Sequence, residues 1–128
     1  MKVTVLGAGA VGSMIGGLIK YNEPSLDVLL VGRGEHAEFV TQRQGVCLLG
    51  PWGMHDVRLR GALSVDTIAG SDVVFVTTKA QDTDQALAAA KPYLDDALVI
   101  SIQNGVNDHI FEQFVPREQL VMGVTLSR

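Results

Sequence analysis

A glycine-rich segment near the start of the chain has the residue types and spacing of a phosphate-binding loop. The pattern G-x-G-x-x-G is matched by Gly7-Ala8-Gly9-Ala10-Val11-Gly12. It follows a short apolar run and precedes residues with helical spacing, and this context makes the pattern informative. Gly7 permits a tight turn, Gly9 lets a pyrophosphate approach the backbone, and Gly12 lets a helix pack close to the strand. The N–H groups at the start of that helix would then face the phosphates.

The residues after the second apolar run, at positions 28–31, indicate which dinucleotide is bound. Sites for NAD usually carry an acidic residue at the end of the second strand, where it binds the ribose hydroxyls. This chain has Arg33 at or just past that position, and a guanidinium can hold a 2′-phosphate through paired hydrogen bonds. The sequence therefore favours NADP(H) over NAD(H). Glu35 keeps NAD(H) open if it faces the ribose. His36 is close enough in sequence to assist Arg33, but the favoured interpretation is a solvated residue at a helix start.

Two later apolar runs end in polar residues. The run at 73–76 is followed by Thr77-Thr78-Lys79, and the run at 98–102 by Gln103-Asn104-Gly105. In open α/β sheets, ligands bind beyond the carboxyl ends of the strands. Lys79 would place an ammonium near a cofactor or an anionic substrate, and Asn104 offers both a donor and an acceptor. A solvated lysine at a helix start and an Asn-Gly turn are the structural alternatives.

The elements that must position these residues alternate between strand and helix. Buried strands are predicted at 3–6, 28–31, 73–76, 98–102 and 120–125, with helices between them. Between residues 46 and 63, two runs flank the turn signal Gly50-Pro51-Trp52-Gly53, which predicts an antiparallel hairpin or two edge strands. Trp52 is expected to cover the hairpin. The alternation indicates an α/β fold, a Rossmann-type doubly wound and mostly parallel sheet with a hairpin insertion.

One stripe of the first predicted helix is apolar and is expected to face the core. Its members recur at helical spacing: Val11, Met14, Ile15, Leu18 and Ile19. The single cysteine, Cys47, lies within an apolar run and is expected to be a small buried residue. With one cysteine no intrachain disulfide can form, and a cytoplasmic location is the default expectation.

Size and composition fit a single globular domain over residues 1–128. Apolar residues make up 47% and charged residues 19% of the chain, an ordinary balance. The net charge of -4 argues against nucleic acid as the main partner, because phosphate binding needs a basic surface. No apolar run approaches the roughly 20 residues that span a bilayer, so no membrane partner is expected.

Five segments together resemble a known family. MKVTVLGAGAVG, VGR, VTTKA, SIQNGV and VMGV occur in the order and near the spacing of the N-terminal domain of ketopantoate reductases (2-dehydropantoate 2-reductases). That family uses NADPH to reduce 2-dehydropantoate to pantoate, on the route to pantothenate and coenzyme A. The resemblance implies that residues 7–12 hold the pyrophosphate and Arg33 the 2′-phosphate. It also implies that Lys79 contacts the cofactor near the substrate, and that Asn104 contacts both at the nicotinamide end.

The resemblance further implies a second, helical domain that carries the general-acid lysine and most contacts to the 2-keto acid. That domain is expected to be missing from this chain, which ends at Arg128, and to be supplied by a partner chain or a longer protein. The chain alone is then expected to be weakly active or inactive, because the alkoxide left by hydride transfer needs a proton. Apolar surface would be exposed where that domain docks, and self-association could follow.

Two other functions stay open from the sequence. One is a module without chemistry that senses or binds NADP(H) and passes the signal to a partner. The other is the cofactor domain of a different 2-keto acid or hydroxyacid dehydrogenase, since such enzymes share the glycine loop and often have an arginine after the second strand. The substrate itself is not fixed by any residue of this sequence.

Overall fold

The computed structural model describes residues 1–51, 53–103 and 108–124. The predictions for Trp52 and Asn104 lie outside these residues. The regular elements in chain order are β1 (Lys2–Leu6), α1 (Ala10–Asn22), β2 (Asp27–Val31), α2 (Glu35–Arg43), β3 (Gly45–Gly50), β4 (Gly53–Arg58), β5 (Arg60–Ala62), β6 (Val73–Val76), α3 (Thr83–Leu94), β7 (Leu98–Gln103), α4 (Asp108–Glu112) and β8 (Leu120–Val124).

Six strands form one parallel sheet in the order β5-β2-β1-β6-β7-β8. The chain moves outward from β1 through β2 to β5, then crosses to the other side of β1 and continues through β6, β7 and β8. The order therefore reverses between β1 and β6, and such a switch point is where open sheets of this kind bind ligands. The predicted α/β Rossmann-type fold is confirmed.

Helices cover both faces of this sheet. On one face, Val5, Val28 and Leu30 pack with Ala37 and Val40 of α2 and with partly buried residues of α1. On the other face, apolar side chains of the strands pack with α3 and α4 in a second buried cluster, which includes Val74, Val76, Leu87, Val99 and Phe111. Because both faces of the central strands are buried, these strands read in the sequence as short continuous apolar runs.

The segment between α2 and β6 forms the predicted antiparallel hairpin and one edge strand, not two. β3 and β4 pair as an antiparallel hairpin outside the main sheet, closed at Gly50 and Gly53. β5 instead joins the edge of the main sheet beside β2. Cys47 was predicted to be buried, and this is wrong: its side chain is exposed. Successive strand residues face opposite sides, and in β3 it is Leu48 that is buried.

The predicted apolar stripe of α1 is confirmed only in part, since two of its five members, Ile15 and Ile19, pack against the buried cluster on the α1 face of the sheet. Gly12, Gly16 and Gly17 are the buried residues of α1, whereas Val11 and Met14 are 43% and 48% exposed. A Cβ at Gly16 would lie 2.8 Å from Cδ2 of Leu30. Because glycine has no side chain, the backbone of α1 can approach the strands closely. The larger residues Val11 and Met14 lie outside this contact between helix and sheet. Among the described residues, no helix has the length and apolar character needed to cross a membrane.

Candidate functional site

The glycine loop joins β1 to α1 at the switch point of the sheet. Gly7 has φ +117°, and its N–H donates to the Val31 carbonyl at 2.7 Å. A Cβ at Gly12 would lie 1.8 Å from the Gly7 carbonyl oxygen, so no other residue fits there. A Cβ at Gly9 would meet no atom within 4 Å. The loop is thus closely packed at its two ends and open at Gly9, just before the helix N-terminus.

Thr77 fastens this loop to β6, and sequence reasoning gave it no role. Its N–H donates to the Leu6 carbonyl at 3.0 Å, and its Oγ1 donates to the Gly7 carbonyl at 2.8 Å. The same hydroxyl would lie 2.7 Å from a Cβ at Gly12. Thr77 directly follows β6, the strand beside the switch point. A hydroxyl at that position is the sequence signal that could have suggested this contact.

A cleft of about 410 Å³ opens beside the loop at the carboxyl ends of β1, β2 and β6. Its lining contains cationic, polar and apolar side chains. The lining residues that matter most are Gly7, Gly9, Arg33, His36, Thr77 and Lys79, with Leu63, Val65, Ala86 and Ala89 forming the apolar part. Such a combination suits an elongated anion that also carries an apolar group.

The structure brings most of the residues predicted from the sequence to this one place. Gly7, Ala8, Gly9, Arg33 and Lys79 line the cleft. The other loop residues occupy the first turn of α1: Ala10, Val11 and Gly12. The first N–H groups of a helix have no partner within the helix, so this turn offers donors to an anion.

Arg33 lies between two glycines that shape the end of β2. A Cβ at Gly32 would lie 2.8 Å from the backbone nitrogen of Ala8, so the strand end and the glycine loop are in close contact. Gly34 has φ +96° and precedes α2 directly. Arg33 and Glu35 are exposed. Within the described residues Arg33 forms no ion pair, so its guanidinium is available to an anion.

Lys79 has a fixed backbone at the edge of the cleft. Its carbonyl accepts hydrogen bonds from the Asp82 N–H at 2.9 Å and from Thr83 Oγ1 at 3.0 Å. The side chain is exposed, and no salt bridge between Lys79 and Asp82 is formed in the described parts of the chain. An ammonium on a fixed base at the cleft edge can attract an anion or stabilise developing negative charge. No cluster of potential metal ligands occurs among the described residues.

Three similarities to known proteins bear on the site. Residues 3–128 match the family Ketopantoate reductase PanE/ApbA. A 2-dehydropantoate 2-reductase from Pyrococcus horikoshii is 38% identical over 108 residues, which are 84% of this chain and 34% of that protein. The crystal structure of a PanE/ApbA family ketopantoate reductase from Ralstonia eutropha JMP134 has a TM-score of 0.83 at 30% identity, over 97% of this chain and 40% of that one.

A further solved structure has a similar fold and a different name. The ternary structure of D-mandelate dehydrogenase with NADH and anilino(oxo)acetate has a TM-score of 0.83 at 28% identity, over 98% of this chain and 41% of that one. The chain thus spans between 34% and 41% of the length of these three proteins.

Proposed function

The chain belongs to the ketopantoate reductase family of oxidoreductases, and from that premise we propose that it is the NADP(H)-binding part of a reductase that converts 2-dehydropantoate to pantoate. Residues 1–128 would form one dinucleotide-binding domain. The observation that carries the proposal is the cleft at the switch point, where the glycine loop, Arg33 and Lys79 lie at neighbouring strand ends.

The shape of the glycine loop fits a pyrophosphate. Gly9 is the position at which a side chain would meet no protein atom, so its lack of a Cβ serves a ligand rather than the packing. Residues 7–12 would hold the pyrophosphate through the N–H groups at the start of α1. The small apolar residues Ala86 and Ala89 of α3, which also line the cleft, leave room for a flat ring.

Arg33 supports NADP(H) over NAD(H). It follows β2, where NAD sites usually carry an acid, and it is free to pair with a 2′-phosphate. The D-mandelate dehydrogenase of similar fold was solved with NADH, and Glu35 is exposed two residues after Arg33. The preference therefore depends on which of these two side chains meets the ribose, and the charge of Arg33 favours the phosphorylated form.

The chemistry requires a positive group or a proton at the reacting end of the cleft. When bound, NADPH supplies a hydride to the ketone carbon of the substrate. Lys79 would attract the carboxylate of the 2-keto acid and lower the energy of the alkoxide that develops. Asn104, which lies outside the described residues, would orient the substrate and the nicotinamide. A general acid from a helical domain of the longer relatives would complete the site, so we expect this chain alone to turn over weakly or not at all.

Titration of the purified chain with NADPH and with NADH, followed by nicotinamide fluorescence, tests the proposal. NADPH should bind more tightly, and Arg33→Ala should weaken NADPH binding by about 1.5–3 kcal/mol, the contribution of a hydrogen bond to a charged group. NADH binding should change little. Arg58→Ala is the matched control, because Arg58 is an exposed arginine on β4. Equal losses for both dinucleotides would remove the 2′-phosphate assignment, and no binding of either would contradict the proposed function.

A second candidate is an NADH-dependent reductase of another 2-keto acid, and the similarity to D-mandelate dehydrogenase favours it. Oxidation of NADPH and of NADH should then be compared with 2-dehydropantoate and with an aryl 2-keto acid as substrates. The assay would use the chain alone and in the presence of the helical domain of a relative. Faster reaction with NADH and the aryl compound would support this second candidate against the first.

A further inference from the structure

A hydrogen bond joins the first turns of α1 and α2 beside the cleft. Ser13 Oγ lies 2.9 Å from His36 Nε2. Ser13 is the fourth residue of α1, and His36 is the second residue of α2. The two residues are 23 positions apart, and only the packing of both helices on the same face of the sheet brings them together.

The position of this contact relates it to the cofactor site. His36 lines the same cleft as Arg33 and the glycine loop. In the proposed function, the loop holds the pyrophosphate and Arg33 holds the 2′-phosphate. The bond between Ser13 and His36 therefore joins the helix that follows the pyrophosphate loop to the helix that follows Arg33, and the imidazole lines the cleft that contains both.

The chemistry of the pair leaves one ring nitrogen for a ligand. When the Ser13 hydroxyl donates to Nε2, the ring proton is on Nδ1, and Nδ1 becomes a hydrogen-bond donor with a fixed ring orientation. Within the described residues His36 makes no other hydrogen bond or ion pair. Glu35 and Glu38 lie in the same first turn of α2 and would repel an anion there. A second donor beside Arg33 would offset that repulsion.

We infer that His36 is a second ligand of the 2′-phosphate and that it determines, together with Arg33, the preference for NADP(H). Ser13 is a positioning residue that acts through His36, because it orients the imidazole. The inference rests on the proposed function and names two further residues of that same site. It gives a role to a histidine that lies between Glu35 and Glu38 in the chain and lines the cleft proposed to bind an anion.

The experiment measures the dissociation constants of NADPH and NADH for His36→Leu, His36→Gln, Ser13→Ala and the double variant Ser13→Ala/His36→Leu. His36→Leu should raise the constant for NADPH roughly tenfold, the effect of losing one hydrogen bond to a charged group, and change that for NADH less than about twofold. His36→Gln should recover part of the loss, because an amide can also donate. Ser13→Ala should weaken NADPH binding in the presence of His36 and have no effect in the double variant.

His109→Leu is the matched control, since His109 is an exposed histidine on α4, on the other face of the sheet from α2. Thermal unfolding of each variant shows that it is folded. Equal effects of His36→Leu on NADPH and NADH would overturn the inference, and so would no effect on either. If the unchanged chain prefers NADPH and Arg33→Ala removes that preference while His36→Leu does not, the inference fails and the proposed function stands. If the unchanged chain binds neither dinucleotide, both are overturned.

Discussion

Two glycines of the loop are required by the fold, and the third, Gly9, has open space where a Cβ would be. Gly7 needs its positive φ, and Gly12 needs the absence of a Cβ because the Gly7 carbonyl fills that space. Gly9 has φ -82° and open space at its Cβ position, so alanine fits there without strain. The same motif therefore contains two separable requirements, and substitutions can distinguish them.

Gly9→Ala and Gly12→Ala form a matched pair for this test. Gly9→Ala should leave the free energy of unfolding within about 0.5 kcal/mol of the original, as surface substitutions usually do, yet weaken NADPH binding at least tenfold because the methyl group occupies space proposed for the pyrophosphate. Gly12→Ala should destabilise the fold by several kcal/mol or prevent folding, since its Cβ would overlap a backbone oxygen. Denaturant unfolding and NADPH titration measure both effects. Unchanged NADPH binding by Gly9→Ala would show that the loop does not hold a phosphate.

Thr77 links the stability of the loop to its function. Thr77→Val removes the hydroxyl with little change of shape, and the Gly7 carbonyl loses its donor. We expect the free energy of unfolding to fall by about 1 kcal/mol, the usual contribution of such a hydrogen bond, and NADPH binding to weaken severalfold because the loop is less fixed. Thr77→Ser is the control and should behave like the original chain. If the valine and serine variants behave alike in both assays, the hydroxyl has no such role.

The sequence motifs predicted residues in the glycine loop and shortly after the strands. They did not predict contacts between residues that are far apart in the chain. The glycine motif, Arg33 and Lys79 could be predicted because each begins within three residues of the end of a strand. Thr77 and Gly7 are 70 positions apart, and their contact exists only because β6 pairs with β1. No pattern in a single segment contains that information, and the contact of Ser13 with His36 escaped for the same reason.

At the scale of elements, strand positions were predictable and some of their partners were not. β1 and β2 contribute buried side chains to the clusters on both faces, so their apolar runs mark them clearly. β5 has only three residues, too few for a pattern that separates an edge strand from an extension of the hairpin. Its attachment to β2 depends partly on a side-chain pair, in which Arg60 donates two hydrogen bonds, of 2.8 and 2.7 Å, to Asp27.

This pair predicts a specific dependence of stability on pH. The hydrogen bonds from Arg60 lower the pKa of Asp27 below its ordinary value of 3.8, against the raising effect of partial burial, and the charge of Arg60 lowers it further. A lowered pKa in the folded state stabilises the fold fully at pH values above the ordinary value, and this stabilisation is lost as the pH falls through the lowered one.

Asp27→Asn should therefore reduce the free energy of unfolding by about 0.2–1 kcal/mol at neutral pH, a small effect because both side chains are about half exposed. The difference from the original chain should shrink as the pH approaches and passes below 4, roughly the ordinary carboxyl value. Denaturant unfolding over a series of pH values measures it. Asp96→Asn, in the turn before β7, is the control. A difference that stays constant down to acid pH would contradict the role of the charge.

At the scale of the whole molecule, the fold places the candidate cleft at the carboxyl ends of β1, β2 and β6. The relatives extend well beyond the matched part, since this chain spans 34% of the reductase from Pyrococcus horikoshii. Apolar side chains at the hairpin end, Leu49 and Met54, are 72% and 69% exposed. The described domain nevertheless contains both buried clusters that cover its sheet, which is the arrangement of a unit that folds by itself.

The change in unfolding free energy on adding NADPH tests whether the domain folds by itself and whether it has the proposed cofactor site. We expect the chain to unfold in one cooperative transition, and NADPH at about 100 times its dissociation constant to add about 2.7 kcal/mol to the free energy of unfolding. For a chain of this size, that corresponds to a rise in Tm of roughly 8–15 °C. NADH at the same concentration should give a smaller rise, because it lacks the phosphate that Arg33 would bind. Calorimetry with each dinucleotide measures both effects. A cooperative transition that NADPH does not shift would show that the fold is autonomous, and it would contradict the proposed cofactor site.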